Sequence, residues 1–256
     1  MSKVLILDIE ISPSLAAVWG LWKQNVSLPN LLGESEVLCW AAKWEGSEDV
    51  MSASVHEEGK TAMMRMIHRL LEQADVVVTY NGEKFDLKIL NQEFLFLGMQ
   101  PPKPYHSVDL LSTMRRRFRG TSNKLDWWLG RLGIGKKTET GGAGLWIACM
   151  RGEPAAWSTM IKYNKDDVSL TEALLRRVRA WIPNYPVQPP VVNVDTGEVI
   201  PVCACGSVHF QSRGYKWTVG GVAYRQYQCQ TCGKWSRERY SAKDKPKNPL
   251  VHAGQI

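Results

Sequence analysis

An unbroken apolar run, Val4-Leu5-Ile6-Leu7, stands near the start of the chain and predicts a buried strand. It closes on Asp8-Ile9-Glu10. Side chains alternate faces along a strand, so the two carboxylates point the same way. A turn follows at Ile11-Ser12-Pro13; Leu15 to Trp22 is apolar and expected to be extended, and residues 23–36, with Pro29 and Gly33, read as a loop. Val37–Trp44 predicts a second strand and Asp49–Val55 a third, with the turn at Glu45-Gly46-Ser47, so an antiparallel meander is expected. In Lys60–Gln73 the apolar residues Met63, Met66, Ile67, Leu70 and Leu71 recur at helical spacing. Asp75–Tyr80 is short and β-branched, a buried strand. Asn81–Lys84 is a turn, and Asp86–Leu97 returns to a helical pattern. Pro101, Pro102 and Pro104 break the chain before a short strand at His106–Leu110. Two or three helices reach about Arg151, and a long one runs from Pro154, a residue tolerated in a first turn, to Ala180. Three strands followed by alternating helices and strands predict an α/β fold with a mixed sheet.

The pattern changes after residue 182. Pro183, Pro186, Pro189 and Pro190 predict a stiff linker over residues 183–200. Residues 201–240 are short strand-like pieces around cysteines, and residues 241–256, with three Lys and two Pro, are expected to be disordered. The 256 residues thus suit one sizeable domain, 1–182, plus a small module. With 44% hydrophobic and 22% charged residues the composition is that of a soluble globular protein. The 11 Trp, Trp157 and Trp181 among them, are assigned mainly to the core. No apolar run can span a bilayer and the Met-Ser-Lys start lacks a signal peptide, so a cytoplasmic protein is expected, in the host cytoplasm if the source is viral. Net charge is +7; residues 181–256 carry 9 basic against 4 acidic side chains, which favours a polyanionic partner there.

Three stretches carry the chemistry. Asp8 and Glu10 are like charges at the end of a buried strand, costly unless the acidic end meets solvent or a divalent cation sits between them. In Tyr80-Asn81-Gly82-Glu83-Lys84-Phe85-Asp86, Asp86 opens a helix directly after a strand, where ligands bind in open α/β sheets. In Tyr163-Asn164-Lys165-Asp166-Asp167, Tyr163 and Asp167 are i, i+4 and share a helix face. Asp166 points off that face toward solvent, and Asp109 reads as structural or supporting. Asp8, Glu10, Asp86 and Asp167 together could hold two hard divalent ions, Mg²⁺ or Mn²⁺, as phosphodiester hydrolysis requires.

Taken together, these stretches resemble the three motifs of the DEDD (DnaQ-like) 3′→5′ exonucleases, which have a ribonuclease H-like fold. Asp8 and Glu10 match the first motif, Asp86 with Asn81 the second, and Asp167 with Tyr163 the third. Position 162, where one branch carries His, is Lys, whereas Tyr163 sits where the DEDDy branch has its Tyr. The likeness, over roughly residues 3–180, is closest to the exonuclease domains of family-B DNA polymerases and stand-alone relatives. It implies a mixed five-stranded sheet flanked by helices, two-metal hydrolysis, Tyr163 orienting the attacking water, and Asn81 touching the terminal nucleotide. It implies DNA as substrate, as single strands or frayed 3′ ends. The protein would act alone or proofread for a separately encoded polymerase, a compact arrangement similar to that of bacteriophage replication systems. RNA or a structured nucleic acid is the alternative substrate, and a non-catalytic adaptor the alternative class.

Further contacts are expected from Phe85, from the basic run Arg115, Arg116, Arg117 and Arg119, and from Lys136 and Lys137, which read either as solvated or as phosphate ligands. Of Trp127 and Trp128, one is expected in the core. Cys39 and Cys149 read as core residues. Cys203 and Cys205, then Cys229 and Cys232 after an interval of 23 residues, resemble a zinc ribbon with one structural Zn²⁺. The second knuckle, C-x-x-C-G-K, fits; the first is C-x-C, which leaves His209 as an alternative ligand. The module could bind DNA or dock on a polymerase or single-strand-binding protein.

Overall fold

The structure, a computed structural model, describes residues 2–245 except 139, 184 and 187. Most of the expected disordered tail, residues 246–256, lies outside them. The chain divides into two compact units, Ser2–Leu175 and Arg176–Ile256.

The first unit contains a five-stranded sheet. Its strands are β1 (Val4–Ile11), β2 (Val37–Trp44), β3 (Met51–Ser54), β4 (Val76–Thr79) and β5 (His106–Asp109), in the order β3-β2-β1-β4-β5. β1, β2 and β3 pair antiparallel, and β4 and β5 add in parallel, so the sheet is mixed as the element order predicts. The apolar run of β1 is central: Leu5, Ile6 and Leu7 are buried, as are Val76, Val77 and Val78 beside it. Helices α1 (Lys60–Gln73), α2 (Asp86–Phe96), α3 (Leu110–Arg117), α4 (Leu125–Leu132), α5 (Gly144–Met150) and α6 (Pro154–Val178) complete the unit's elements, α6 running on into the second unit. α1 buries Met63, Met64, Ile67 and Leu71 against Leu5, Leu7, Leu90 and Phe94. Met66, expected on that stripe, is exposed, because the buried stripe turns through Met64 instead. Within the first unit α6 and β2 are joined by a buried ion pair: Lys43 Nζ lies 2.7 Å from Glu172 Oε2, whose other oxygen accepts from the Gly46 N–H at 2.8 Å.

The segment between β1 and β2 differs from expectation. Leu15–Ala16 pairs with Leu31–Gly33 and a 3₁₀ turn spans Leu28–Asn30, so residues 23–36 are not wholly loop. Trp19, Leu21, Trp22 and Leu28 of this arm are exposed. The assignment of the Trp residues to the core therefore holds for Trp40, Trp128 and Trp157 but fails for Trp19, Trp22, Trp181, Trp217 and Trp235, all exposed. A high content of one large residue says nothing about which copies meet a packing partner.

In the second unit a 3₁₀ turn, Arg179–Trp181, precedes a three-stranded antiparallel sheet of β6 (Phe210–Trp217), β7 (Ala223–Cys229) and β8 (Trp235–Arg237), ordered β6-β7-β8. The stretch expected as a linker carries its own two-residue ladder, Val191–Val192 with Val199–Ile200, and buries Tyr185 under the Arg179 guanidinium.

Candidate metal centres

Asp8 and Glu10 leave the same face of β1, opposite Ala41 and Cys39 of β2. Asp167 reaches them from α6, and the ligand oxygens of these three lie within 4.8 Å of one another. Asp86, first residue of α2, stays outside that trio. It is buried, and its Oδ1 accepts from the Ile9 N–H at 3.1 Å, which ties the helix N-terminus to the strand between the other two acids. The turn that delivers it is tightly built. A Cβ on Gly82 would come within 2.4 Å of the Thr79 Oγ1, so only glycine fits there. Asn81 takes a left-handed φ of 75°, and its N–H is held at 3.0 Å by Asp109 Oδ1, which also caps α3 through Ser112. Asp109 is thus structural.

Two residues that pattern reading missed hold the carboxylates in place. Asn164, fully buried on α6, donates from Nδ2 to Asp8 Oδ2 at 2.7 Å. The Trp146 indole donates to Glu10 Oε2 at 3.1 Å and lies edge-on to the Tyr163 ring. Asn164 stood inside a recognised stretch, i, i+3 from Asp167 and so on its face; Trp146 had no signal at all. Lys137, expected as a phosphate contact, donates to Asp167 Oδ2 at 2.5 Å and to the Tyr163 hydroxyl at 3.2 Å. Asp166, expected in solvent, accepts from the Thr138 hydroxyl at 2.9 Å.

The electrostatics are those of crowded acids. Burial, then the charges of Asp86, Glu10 and Asp167, raises the Asp8 pKa well above the usual range. Burial, then Asp167, pushes Glu10 up to about 7, against the Trp146 hydrogen bond and Lys137. Asp86 rises to about 6 by burial, moderated by its own and the Ile9 N–H. Burial also raises Asp167, although Lys137 opposes it. Burial costs Lys137 some of its charge stability, but Asp167 and Tyr163 outweigh that and hold it above the ordinary lysine range. Tyr163, pushed up to about 12 by burial and Asp167, is a neutral phenol at physiological pH. Asp167 Oδ1 is buried and has no hydrogen-bond partner. An orphaned carboxylate oxygen among raised carboxylates is a donor set that fits a divalent cation.

The other expected contacts are placed without being brought to the acids. Phe85, Arg115, Arg116, Arg117, Arg119 and Lys136 are exposed. Trp128 is buried while Trp127 is half-buried. Cys39 and Cys149 are core residues, and the Cys39 thiol faces Asn164 Oδ1 at 3.7 Å.

The second unit gathers Cys203, Cys205, Cys229 and Cys232, with all four sulfurs within 4.8 Å of one another. Cys203 and Cys232 are 3.6 Å apart, and Cys205 and Cys229 3.7 Å. Each knuckle closes by backbone bonds, Gly206 N–H to Cys203 O and Gly233 N–H to Cys229 O, both at 2.9 Å. Burial opposes the Cys229 thiolate, but the N–H groups of Cys232 and Thr231 bring its pKa down to about 6. Four thiols in this arrangement fit a metal ion. His209 is exposed and outside the cluster.

The family model of the RNase_H superfamily matches residues 39–179, which include Asp86, Tyr163 and Asp167 but begin after Asp8 and Glu10. Among solved structures, the chain is similar to the family B DNA polymerase of the hyperthermophilic archaeon Pyrobaculum calidifontis, at 18% identity and a TM-score of 0.54. That likeness covers 70% of this chain but only 25% of the polymerase, so this chain spans about a quarter of the length of its relative. No curated protein matches the chain in sequence. No helix among the described residues is long and apolar enough to cross a membrane.

Proposed function

Because this chain belongs to the RNase_H superfamily and has the fold of its nucleases, we propose that it is a metal-dependent 3′→5′ exonuclease of the DEDDy type acting on single-stranded or frayed DNA ends. The observation that carries the reading is the acidic trio with its orphaned Asp167 oxygen, beside a tyrosine on the same helix face. Asp8, Glu10 and Asp167, with Asp86 alongside, would hold the two Mg²⁺ or Mn²⁺ ions. When bound, such ions polarise the phosphate and stabilise the attacking and leaving oxygens of an in-line displacement.

The chain's own residues supply positioning. Asn164 fixes the rotamer of Asp8 and Trp146 that of Glu10, so the carboxylates keep their places without substrate. Tyr163 retains its proton at neutral pH. It serves as a hydrogen-bonding group that orients the attacking water rather than as its base. Lys137 supplies a positive charge against Asp167. Asn81, held left-handed by Asp109, and Phe85 contact the terminal nucleotide, and the arginines of α3 and its C-terminal flank contact phosphates. The four thiols hold one structural Zn²⁺, with Cys205 and not His209 as the fourth ligand. A separately encoded polymerase is the natural partner for such a chain.

The test is a 5′-labelled single strand incubated with Mn²⁺. A ladder of products shortening from the 3′ end is expected, and none with Asp8→Asn. Intact strands, or cleavage that survives Asp8→Asn, would overturn the reading. Equal strands of DNA and RNA in parallel reactions identify the sugar preferred.

A further inference from the structure

The two faces of the C-terminal sheet differ in chemistry. Cross-strand partners in an antiparallel sheet point to the same side. One face carries the pairs Lys216↔Tyr224, Gln226↔Arg237, Gln211↔Gln228 and Gln228↔Trp235. Arg213, beside the irregularity in β6, joins this face by two bonds to Gln228 Oε1, at 3.1 and 2.8 Å. The Arg237 guanidinium lies 4.1 Å over the Tyr224 ring, an independent sign that the two share a side. The opposite face carries Phe210, Tyr215, Arg225 and Tyr227. Phe210 and Tyr227 of that face border a cavity of about 540 Å³ together with Pro190, Val199 and Val202, and Arg237 also reaches its lining, whereas Arg225 and Trp217 of the same face are exposed.

The carboxylates are sorted in the same way. Residues 203–245 contain two, Glu238 and Asp244. Both accept hydrogen bonds from tyrosines of the opposite face, Tyr227 to Glu238 at 2.8 Å and Tyr215 to Asp244 at 3.1 Å. The open face therefore presents three cations, two aromatic rings and the amides of Gln211 and Gln226, that of Gln228 being engaged by Arg213 and the Gly233 carbonyl, with no carboxylate among the described residues. Lys216, Arg213, Arg237 and Trp235 are all exposed on it.

We propose that this open face binds single-stranded nucleic acid. Arg213, Lys216 and Arg237 would meet backbone phosphates, Tyr224 and Trp235 would stack on bases, and Gln211 and Gln226 would bond base edges. Cations alternating with flat rings match a strand whose bases are free to leave their own stack. An acidic peptide would use the cations and leave the rings and amides idle. The inference takes only the polymer class from the nuclease reading, and its readout is binding, so either can fail alone.

The experiment measures anisotropy of a fluorescent 20-mer single strand with the full chain, on an Asp8→Asn background that leaves the strand intact and without added Mg²⁺ or Mn²⁺. Arg213→Ala/Lys216→Ala/Arg237→Ala should weaken binding by about tenfold or more and flatten the slope of log K against log salt by about 2, since each phosphate contact contributes about 0.7. Arg65→Ala/Arg69→Ala/Lys88→Ala, which removes the same charge from exposed positions of α1 and α2, should change binding less than about twofold if the effect is local. Gln226→Glu, a single substitution without loss of packing, should also weaken it, and thermal unfolding of each variant checks that the chain is folded. Equal losses in the two triple variants would reduce the effect to net charge and overturn the proposal. So would indifference to Tyr224→Leu/Trp235→Leu together with equal competition by polyglutamate, which would make the face a dock for acidic protein.

Discussion

The acidic site and the cysteine site are held in opposite ways. Asp8 and Glu10 extend from a strand whose neighbours are fully packed, and Asp167 from a helix whose Leu174 and Leu175 are buried. The hydrophobic core places the carboxylates, and their mutual repulsion is what that placement costs. In residues 201–245 the buried hydrophobic residues are Cys203, Ala204, Ala223 and Cys229, so two of the four are themselves metal-ligating candidates. Little else can drive that sheet to close. One site is a scaffold that would tolerate the absence of a metal under strain; the other would be a fold that a metal creates.

The largest effect should come from breaking the second half of this contrast. Cys229→Ser, or removal of the thiol-bound metal by a chelator, should abolish amide hydrogen-exchange protection in β6–β8 while β1, β2 and β4 keep theirs. Structural zinc sites are worth about 10–16 kcal/mol, far more than this module's core can replace. Persistent protection in β6–β8 would show that the module folds by packing after all.

Asp8→Asn tests the first half with two readouts of opposite sign. Hydrolysis should fall by about 10³-fold or more, a loss of about 4 kcal/mol in transition-state stabilisation. The metal-free protein should meanwhile melt higher, by about 2–4 °C for each kcal/mol of repulsion relieved. A lower melting temperature would mean that Asp8 is not under electrostatic strain. Asn164→Ala should act in the other direction, destabilising the chain by about 1–3 kcal/mol because a buried carboxylate loses its donor. Its activity should drop as well, and both are checked by denaturant unfolding and strand hydrolysis.

The pH dependence is gentler. Glu10 moves from an ordinary 4.5 to about 7 on folding, and Asp86 from 3.8 to about 6. Between the paired values the folded chain binds more protons than the unfolded one, so stability falls as pH rises. The penalty is complete above about 7 and gone below about 4. Metal-free protein should therefore melt higher at pH 5.5 than at pH 8. Added Mn²⁺ should stabilise most at pH 8, where no proton competes for the oxygens. A flat profile without metal would argue against crowding of the acids.

What could be read along the chain was whatever repeats locally. The strand run Val4–Leu7, the span of α1 and the i, i+4 relation of Tyr163 and Asp167 are all written within a few residues. Asp86 was legible because it opens a helix just after a strand. Trp146 against Glu10 and Lys137 against Asp167 were not, since each contact joins residues far apart by way of a loop or a short helix. Asn164 falls between the cases: its face could be deduced, its partner could not. The exposed Trp19 and Trp22 show the converse, that apolar composition alone does not guarantee burial.

The buried pair between Lys43 and Glu172 has a consequence for how this sequence can drift. Losing Glu172 alone strands the Lys43 ammonium in the interior, at about 3–5 kcal/mol, a large share of what holds a domain together. Replacing both by apolar residues of similar volume can be nearly neutral. Glu172 on α6 is thus free to change only when Lys43 on β2 changes with it. Descendants of this chain that have lost Glu172 should have lost Lys43 as well.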